Sequence, residues 1–389
     1  MDLPPIPSRP YAGKRGEERC RCSKSPNPRN NTAAPTGLAL FSGLRSGDTT
    51  HCMRVADLPI VDLDQSDRAA TLARGLFETG FFHLRDHAIP PELLAAIRSE
   101  TRSFFRKPMR HKMEFRGTLR GYAALREEHT AAAFGSGESD DGDLCEKFSM
   151  GASPTPAERA AARDYFDAPE AQRFFQPNQF PNPAFAEVWQ DYFNHMVGLS
   201  QRLMMAVRET LGLPAGAWDQ LIDKPANLMR FLNYPEVADS AVRMAAHYDD
   251  NLLTLLHQSP LDNGFHPLEV MLPGDDVWRS VPADDDLLVV NVGEALMYLS
   301  QGRIIATKHR VAATPPEQRH GSARTSIAFF HTPNWNCPLH PVSPRGVDGR
   351  LGQNSEEFGR GDLYDPDGSI PYYRLQDRAL SRGNFDTGG

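Results

Sequence analysis

The stretch MAAHYDDNLLTLLH, residues 244–257, decides the fold that we expect for this chain. Its second half is a run of apolar residues, which is typical of a strand that enters a protein core. Side chains alternate across a strand, so His247 and Asp249 are predicted to project to the same side. An unpaired carboxylate would be costly at the edge of a core, which favours a partner for Asp249. An imidazole and a carboxylate side by side are suited to be two ligands of one metal ion.

Two later segments also have the composition of strands and carry matching polar residues. His309 begins the segment HRV after a run of β-type residues. Arg324 and Ser326 lie two positions apart in the segment RTSIAFF, so we expect them on one face of a strand. Two histidines and one carboxylate on a rigid sheet form a facial triad, which suits Fe(II) and leaves three coordination positions open. The sequence therefore predicts that His247, Asp249 and His309 bind one metal ion.

The composition is that of an ordinary globular protein. The 389 residues are 40% hydrophobic and 24% charged, and the formal net charge of −8 argues against nucleic acid as a partner. We expect no membrane segment, because no apolar run is long enough to span a bilayer and the first residues lack the core of a signal peptide. The five cysteines are odd in number and scattered, which indicates no disulfide framework and predicts a cytoplasmic protein.

The pattern of elements favours an α+β fold with a mainly β core. We predict three helices: the first is capped by Ser66 and ends near Thr79, the second is opened by Pro90-Pro91, and the third extends from 183 to about 211. We also predict a polar loop over 117–151. The remaining predicted strands cover residues 81–84, 228–234, 268–272, 278–281, 287–292 and 296–299. Turn signals separate the later strands at short intervals, which is typical of a β-sandwich or barrel.

These motifs resemble those of the 2-oxoglutarate/Fe(II) oxygenases of the isopenicillin N synthase-like superfamily, over about residues 57–340. The segment GFFHLRDHAIP, residues 80–90, is similar to the N-terminal part of that family, and the three polar motifs above are similar to its ligand and co-substrate motifs. The resemblance implies a double-stranded β-helix (jelly roll) with helices packed outside. It also implies that Fe(II), 2-oxoglutarate and O2 are used to oxidise a small molecule, in specialised metabolism such as antibiotic biosynthesis, by hydroxylation, desaturation or ring expansion.

The resemblance implies a role for further residues. Arg324 would hold the far carboxylate of 2-oxoglutarate with its planar fork, and Ser326 would donate a hydroxyl hydrogen bond to the same group. Tyr234 is similar to a family position that touches this carboxylate, and a packing role is the alternative.

Arg230, Leu232 and Met244 would line the substrate side. The cephalosporin-forming branch of the family, which several stretches of this chain resemble, carries a second arginine where Leu232 stands. Its loss removes a carboxylate partner and argues against a penicillin substrate.

The resemblance also divides the chain into segments. We expect a disordered extension over 1–52, because it is rich in Pro, Arg, Ser and Gly and has no periodicity, with Met53 as an alternative start. An N-terminal oxygenase segment would cover 53–160, the Fe(II)/2-oxoglutarate jelly-roll domain 161–345, and a C-terminal tail and possible lid 346–389.

Other functions fit some of the same residues. An oxidase like isopenicillin N synthase would use the Arg324-x-Ser326 pair for a substrate carboxylate and consume no 2-oxoglutarate, and an ethylene-forming relative would break 2-oxoglutarate down. A non-catalytic metal-binding sensor has no need of all three ligands. A zinc hydrolase could use two histidines and a carboxylate, but it leaves Arg324 without a role. The sequence gives no indication of the oligomeric state.

Overall fold

The computed structural model describes residues 54–117, 119–134, 141–238, 241–300, 302–339, 365 and 369–382. The expected disordered segment 1–52 and most of the expected tail 346–389 lie outside the described residues, as do Cys20, Cys22 and Cys52.

The described residues contain fourteen strands. They are β1 (Ile60–Asp62), β2 (Phe81–Arg85), β3 (Gly121–Ala123), β4 (Glu146–Gly151), β5 (Leu228–Tyr234), β6 (Met244–His247), β7 (Leu253–Gln258), β8 (Leu268–Val270), β9 (Arg279–Ser280), β10 (Leu288–Val292), β11 (His309–Val311), β12 (Arg324–His331), β13 (Pro338–Leu339) and β14 (Ile370–Pro371).

Ten α-helices lie in the same part of the chain, and a π-helical turn, Gly75–Thr79, extends the first of them. They are α1 (Arg68–Arg74), α2 (Pro91–Phe105), α3 (Met109–Lys112), α4 (Thr130–Phe134), α5 (Pro156–Ala161), α6 (Arg163–Phe166), α7 (Pro183–Thr210), α8 (Asp219–Ile222), α9 (Glu294–Leu299) and α10 (Tyr372–Arg382).

Two sheets carry most of the strands. The larger sheet has the order β1-β2-β10-β7-β12-β5-β4-β3, and the smaller sheet has the order β6-β11-β8-β9. The pairs in both sheets are antiparallel except β1 with β2. From β5 to β12 the chain passes repeatedly between the sheets. Strands β5, β7, β10 and β12 belong to the larger sheet, and β6, β8, β9 and β11 belong to the smaller one.

The long helix α7 braces one face of the larger sheet. Asn182 caps it, its Oδ1 accepting a hydrogen bond from the backbone N–H of Phe185 at 2.9 Å. Trp189 of α7 is buried against Phe148 of β4, with the ring centroids 5.1 Å apart, and its Nε1–H donates to Thr101 of α2 at 2.9 Å. Since side chains alternate along a strand, the neighbours of Phe148 point to the opposite face, where the polar site lies.

Several sequence predictions about helices and strands are confirmed and others are wrong. Strand β5, helix α2 and helix α7 lie where the pattern places them, and Gly80 ends the first helix with φ +65°. The predicted cap Ser66 is wrong, because the helix begins at Arg68 and Asp67 occupies the cap position. The predicted loop 117–151 instead contains β3, α4 and β4.

The predicted strand 296–299 is part of the helix Glu294–Leu299. The backbone N–H groups of Gly293 and Glu294 donate to the carbonyls of Leu252 and Asp249, and these bonds turn the chain out of the sheet. The residues that follow are strong helix formers, Ala, Leu and Met, and they continue the turn as a helix. Among the described residues, none of the helices is both long and apolar enough to cross a membrane.

Candidate metal and co-substrate site

The predicted ligand residues lie together at the junction of the two sheets. His247 ends β6, His309 begins β11, and the two histidines lie directly opposite one another in the smaller sheet. Asp249 is not on a strand, as the alternation argument assumed. It lies two residues beyond β6, in the connection to β7. One ligand atom from each of the three buried side chains falls within a group whose members all lie within 4.8 Å of one another.

Both imidazoles are oriented by backbone carbonyls two residues before them, one on β6 and the other just before β11. Nδ1 of His247 bonds to the carbonyl of Ala245 at 2.8 Å, and Nδ1 of His309 bonds to the carbonyl of Thr307 at 3.2 Å. A carbonyl can only accept, so each Nδ1 carries a hydrogen, and in the neutral ring the lone pair is then on Nε2. The two Nε2 atoms lie 3.7 Å and 3.8 Å from Oδ1 of Asp249.

The second oxygen of Asp249 is held by two side chains that the sequence analysis did not identify. Thr254 of β7 donates to Oδ2 at 2.5 Å, and Asn291 of β10 donates to the same oxygen at 2.7 Å. Partners of this kind fix the orientation of a metal ligand. No signal in the sequence marks Thr254 or Asn291, because their approach depends on the pairing of β7 with β10.

Burial sets the protonation states of the site. It lowers the pKa of His247 to about 4, and the neighbouring His309 adds to this effect. Burial alone would raise the pKa of Asp249, but the two imidazoles and the hydrogen bonds from Asn291 and Thr254 hold it below its ordinary value. At neutral pH the site therefore offers neutral imidazole at His247 beside an ionised carboxylate. This donor set, with Oδ1 and the Nε2 atoms converging, fits a divalent first-row metal.

A second group of predicted residues lies on β12 and β5. Arg324 is buried directly opposite Tyr234, and its guanidinium carbon is 4.2 Å from the centre of the tyrosine ring. Among the residues that the structure describes, no carboxylate forms an ion pair with Arg324, and burial lowers the pKa of this guanidinium. Ser326 is also buried, two residues farther along the same face. A buried cation with no carboxylate partner suits an anionic ligand.

The three residues predicted on the substrate side share one cavity with two of the three predicted metal ligands. Arg230, Leu232 and Met244 line it together with His247 and Asp249. The C-terminal helix α10 contributes Tyr372 and Gln376 to the same cavity. Arg230 is also paired within the protein, because its Nη1 donates to Oε2 of Glu128 at 2.9 Å.

The chain matches two family models that cover both halves of this structure. Residues 225–333 match the 2OG-Fe(II) oxygenase superfamily model, and residues 57–183 match the model of the N-terminal region of non-haem dioxygenases in morphine synthesis. The first match contains all six residues predicted to bind the metal and 2-oxoglutarate. The proteins of this superfamily use Fe(II), 2-oxoglutarate and O2.

Curated relatives include enzymes of cephalosporin synthesis. Deacetoxycephalosporin C synthase from Amycolatopsis lactamdurans is 34% identical over 55% of this chain and 62% of its own length. Deacetoxycephalosporin C hydroxylase from Streptomyces clavuligerus is 32% identical over 62% of this chain and 70% of its own length. The chain thus spans a little under two thirds of the length of the first relative and a little over two thirds of the length of the second.

Solved structures share the fold at lower identity. A protein from Caulobacter crescentus assigned to the 2OG-Fe(II) oxygenase family has a TM-score of 0.63 and 24% identity, covering 84% of this chain and 99% of its own. JOX2 in complex with 2OG, Fe and JA has a TM-score of 0.59 and 22% identity, covering 88% and 95%. The family match, the relatives and the fold agree, and this chain belongs to the 2OG-Fe(II) oxygenase superfamily.

Proposed function

We propose that the protein is an Fe(II)- and 2-oxoglutarate-dependent dioxygenase in which His247, Asp249 and His309 hold the metal. The convergence of three buried donor atoms supports this assignment most strongly. Hydrogen bonds occupy Nδ1 of each histidine and Oδ2 of Asp249. Nε2 of each histidine and Oδ1 of Asp249 are thereby left to bind the metal. When bound there, Fe(II) supplies the activation of O2 that protein side chains do not provide.

The second part of the proposal concerns the co-substrate. Arg324 would pair with the far carboxylate of 2-oxoglutarate, Ser326 would donate its hydroxyl to the same group, and the ring of Tyr234 would support the guanidinium. The burial of Arg324 without a carboxylate partner among the described residues supports this assignment. A guanidinium binds a carboxylate through two parallel hydrogen bonds, which fixes the orientation of the bound acid as well as its position.

The connectivity supports a double-stranded β-helix. Successive strands from β5 to β12 pass between the larger and the smaller sheet, which is how a jelly roll winds. The ligands lie where β6 and β11 meet, between the two sheets, and the helices α2 and α7 cover the outer face of the larger sheet.

The substrate of the proposed reaction is a small molecule of specialised metabolism. Arg230, Leu232 and Met244 would contact it in the cavity beside the triad. The names of the curated relatives support antibiotic biosynthesis as the setting, and hydroxylation, desaturation and ring expansion are all within the chemistry proposed. Two cysteines of the described part, Cys145 and Cys337, are free thiols, which supports the cytoplasm as the compartment. The division at residues 160 and 161 stays a prediction.

An anaerobic titration tests the proposal. Fe(II) and 2-oxoglutarate added together should produce a metal-to-ligand charge-transfer band with one equivalent of each, and admission of O2 should release labelled CO2 from 2-oxoglutarate. His309→Ala should lose the band, while the exposed His195→Ala on α7 should retain it.

The same measurements separate the alternatives. Substrate oxidation without consumption of 2-oxoglutarate would replace the proposal with an oxidase, and release of ethylene would identify breakdown of the co-substrate. A full band in His309→Ala would reject the ligand assignment.

A further inference from the structure

Gln258, the last residue of β7, has a buried amide with an unused hydrogen-bond donor. The residue is 2% exposed, and its Nε2 forms no hydrogen bond with any residue that the structure describes. An amide that is buried without a partner lowers stability, because its bonds to water are lost and not replaced. Buried polar groups are normally satisfied, so this donor indicates an acceptor that comes from outside the chain.

Two contacts show to which face of the larger sheet Gln258 projects. Thr254, four residues earlier on β7, bonds to Asp249 of the metal site. His257, the residue just before Gln258, bonds to Arg98 of α2 on the opposite face. Side chains alternate along a strand, so Gln258 projects to the same side as Thr254, which is the side of the metal site.

The register of the sheet places Gln258 beside the proposed co-substrate residues. Ser326 of β12 lies directly opposite Gln258, and Arg324 is two residues before Ser326 on the same face. The Cβ atoms of residues opposite one another are about 5 Å apart, which is within reach of a glutamine side chain. On its other side Ser326 lies opposite Leu232, which is apolar. Gln258 is therefore the polar cross-strand neighbour of Ser326.

Arg324, Ser326 and Gln258 together form a group of donors without an acceptor. All three are buried, and no described residue accepts a hydrogen bond from the Arg324 guanidinium, the Ser326 hydroxyl or Nε2 of Gln258. An ionised carboxylate has about four positions that accept hydrogen bonds. The fork of Arg324 would fill two of them and the hydroxyl of Ser326 a third, which leaves one position for the amide of Gln258.

We propose that Gln258 is a third co-substrate residue, whose Nε2 donates to the far carboxylate of 2-oxoglutarate beside Arg324 and Ser326. This inference rests on the proposed function and deepens it by adding the residue that completes the hydrogen bonds of that carboxylate. The amide is neutral, so it adds a donor without changing the charge balance between the guanidinium and the carboxylate. It thereby favours a 2-oxo acid that ends in a carboxylate over one that ends in a methyl group.

Two probes separate the binding of this carboxylate from the binding of the 2-oxo acid group. 2-Oxoglutarate and 2-oxovalerate have the same carbon chain, but 2-oxovalerate has a methyl group in place of the far carboxylate. Each is titrated into the anaerobic Fe(II)-loaded protein, and the metal-to-ligand charge-transfer band gives its dissociation constant. The ratio of the two constants measures what the far carboxylate contributes to binding.

Gln258→Met keeps the length of the side chain and removes the donor. It should weaken the binding of 2-oxoglutarate at least about tenfold, because the lost hydrogen bond is to a charged group, and change the binding of 2-oxovalerate by less than about twofold. It should also raise the free energy of unfolding of the metal-free protein, because an amide without a partner leaves the interior. A merely structural role would not weaken one acid alone.

Asn334→Leu is the matched control. The amide of Asn334 is also buried, but its Nδ2 donates within the protein to the carbonyl of Gln220 and to Oδ1 of Asp223. Its removal should lower the free energy of unfolding and leave the ratio of the two dissociation constants unchanged.

Gln258→Asn keeps the test decisive if Gln258→Met does not fold. It retains an amide but withdraws the donor by one methylene group, so it should lower the preference for 2-oxoglutarate as well. The proposal is wrong if the folded variant binds both acids as tightly as the unmodified protein, or if it weakens both acids equally. Absence of the charge-transfer band with 2-oxoglutarate in the unmodified protein would instead reject the proposed function itself.

Discussion

Thr254 donates its hydroxyl hydrogen bond to Oδ2 of Asp249 across 2.5 Å and, together with Asn291, leaves Oδ1 facing the two imidazoles. We predict that Thr254→Val, which keeps the shape of the side chain and removes the donor, weakens Fe(II) binding about tenfold or more. Anaerobic Fe(II) titration of the purified protein measures the change.

Thr325→Val is the matched control for this substitution. The hydroxyl of Thr325 is also buried and bonded, but it accepts from Arg102 and contacts Ser259 on the other face of β12. Its loss should cost stability without changing the affinity for Fe(II). Equal affinities in Thr254→Val and the unmodified protein would show that Asn291 alone orients the carboxylate.

A second prediction concerns the co-substrate. Arg324→Lys keeps the positive charge but loses the planar fork, so it should raise the KM for 2-oxoglutarate at least about tenfold. Steady-state release of CO2 at varied 2-oxoglutarate measures this effect. Arg243, whose guanidinium carbon lies 5.7 Å from the centre of the Tyr234 ring and which donates to the carbonyl of Pro235, serves as the comparison. Arg243→Lys should leave this KM within about twofold, because its guanidinium donates to the carbonyls of Leu144 and Pro235 and to the hydroxyl of Thr314. A similar rise in both variants would contradict the assignment of Arg324.

Gly80 links the fold to the metal site. Its φ is +65°, and an added Cβ would lie 2.2 Å from Oγ1 of Thr307, the residue whose carbonyl holds the ring of His309. Gly80→Ala should therefore lower the free energy of unfolding by roughly 3 kcal/mol and weaken Fe(II) binding as well.

Gly212 separates backbone strain from displacement of Thr307. It has a φ of +70°, but an added Cβ would meet nothing within 4 Å. Gly212→Ala should cost about 1 kcal/mol and leave Fe(II) affinity unchanged. Urea unfolding and metal titration of both variants measure the two effects separately, and unchanged Fe(II) affinity in a folded Gly80→Ala would disprove the link.

Stability at acid pH depends on His257. Its Nε2–H donates to the carbonyl of Asp285, and its Nδ1 accepts from Arg98, so the ring is held neutral. Burial and the charge of Arg98 lower its pKa to about 4, against about 6.5 in the unfolded chain. The unfolded state therefore binds the proton more tightly, and stability that is complete above pH 6.5 is lost as the pH falls toward 4.

The size of this effect follows from the two pKa values. Between pH 7 and pH 5 the single histidine should account for a loss of about 2 kcal/mol in the free energy of unfolding. His257→Gln should reduce the acid-induced loss by that amount, whereas the exposed His195→Gln should not change it. The same pH dependence in all three proteins would show that His257 does not govern acid stability.

The sequence was a good guide wherever local patterns decide structure. Strand β5 has the predicted bounds, Leu228–Tyr234, and α7 begins at the predicted Pro183, because a proline start and a regular apolar period are local properties. The sequence predicts a strand over 296–299, where the structure has the helix Glu294–Leu299. Five of its six residues are buried, so no polar face reveals a helical period.

The candidate site was only partly predictable for a related reason. Asp249 does lie beside His247, but on a connection between sheets rather than on a strand. Thr254, Asn291 and Gln258 reach the site through the pairing of strands that are distant in sequence, and periodicity carries no information about such pairings. Long-range register therefore decides the surroundings of the ligands.

The hydrogen bonds that Ala245 and Thr307 accept from the two histidine rings have a consequence for maturation. In many small metalloproteins the ion itself assembles the site and folding waits for it. Here a backbone carbonyl two residues before each histidine orients its ring, so the folded chain itself sets the orientation of both imidazoles. We therefore expect Fe(II) to bind after folding, at ligands that the metal-free protein already orients.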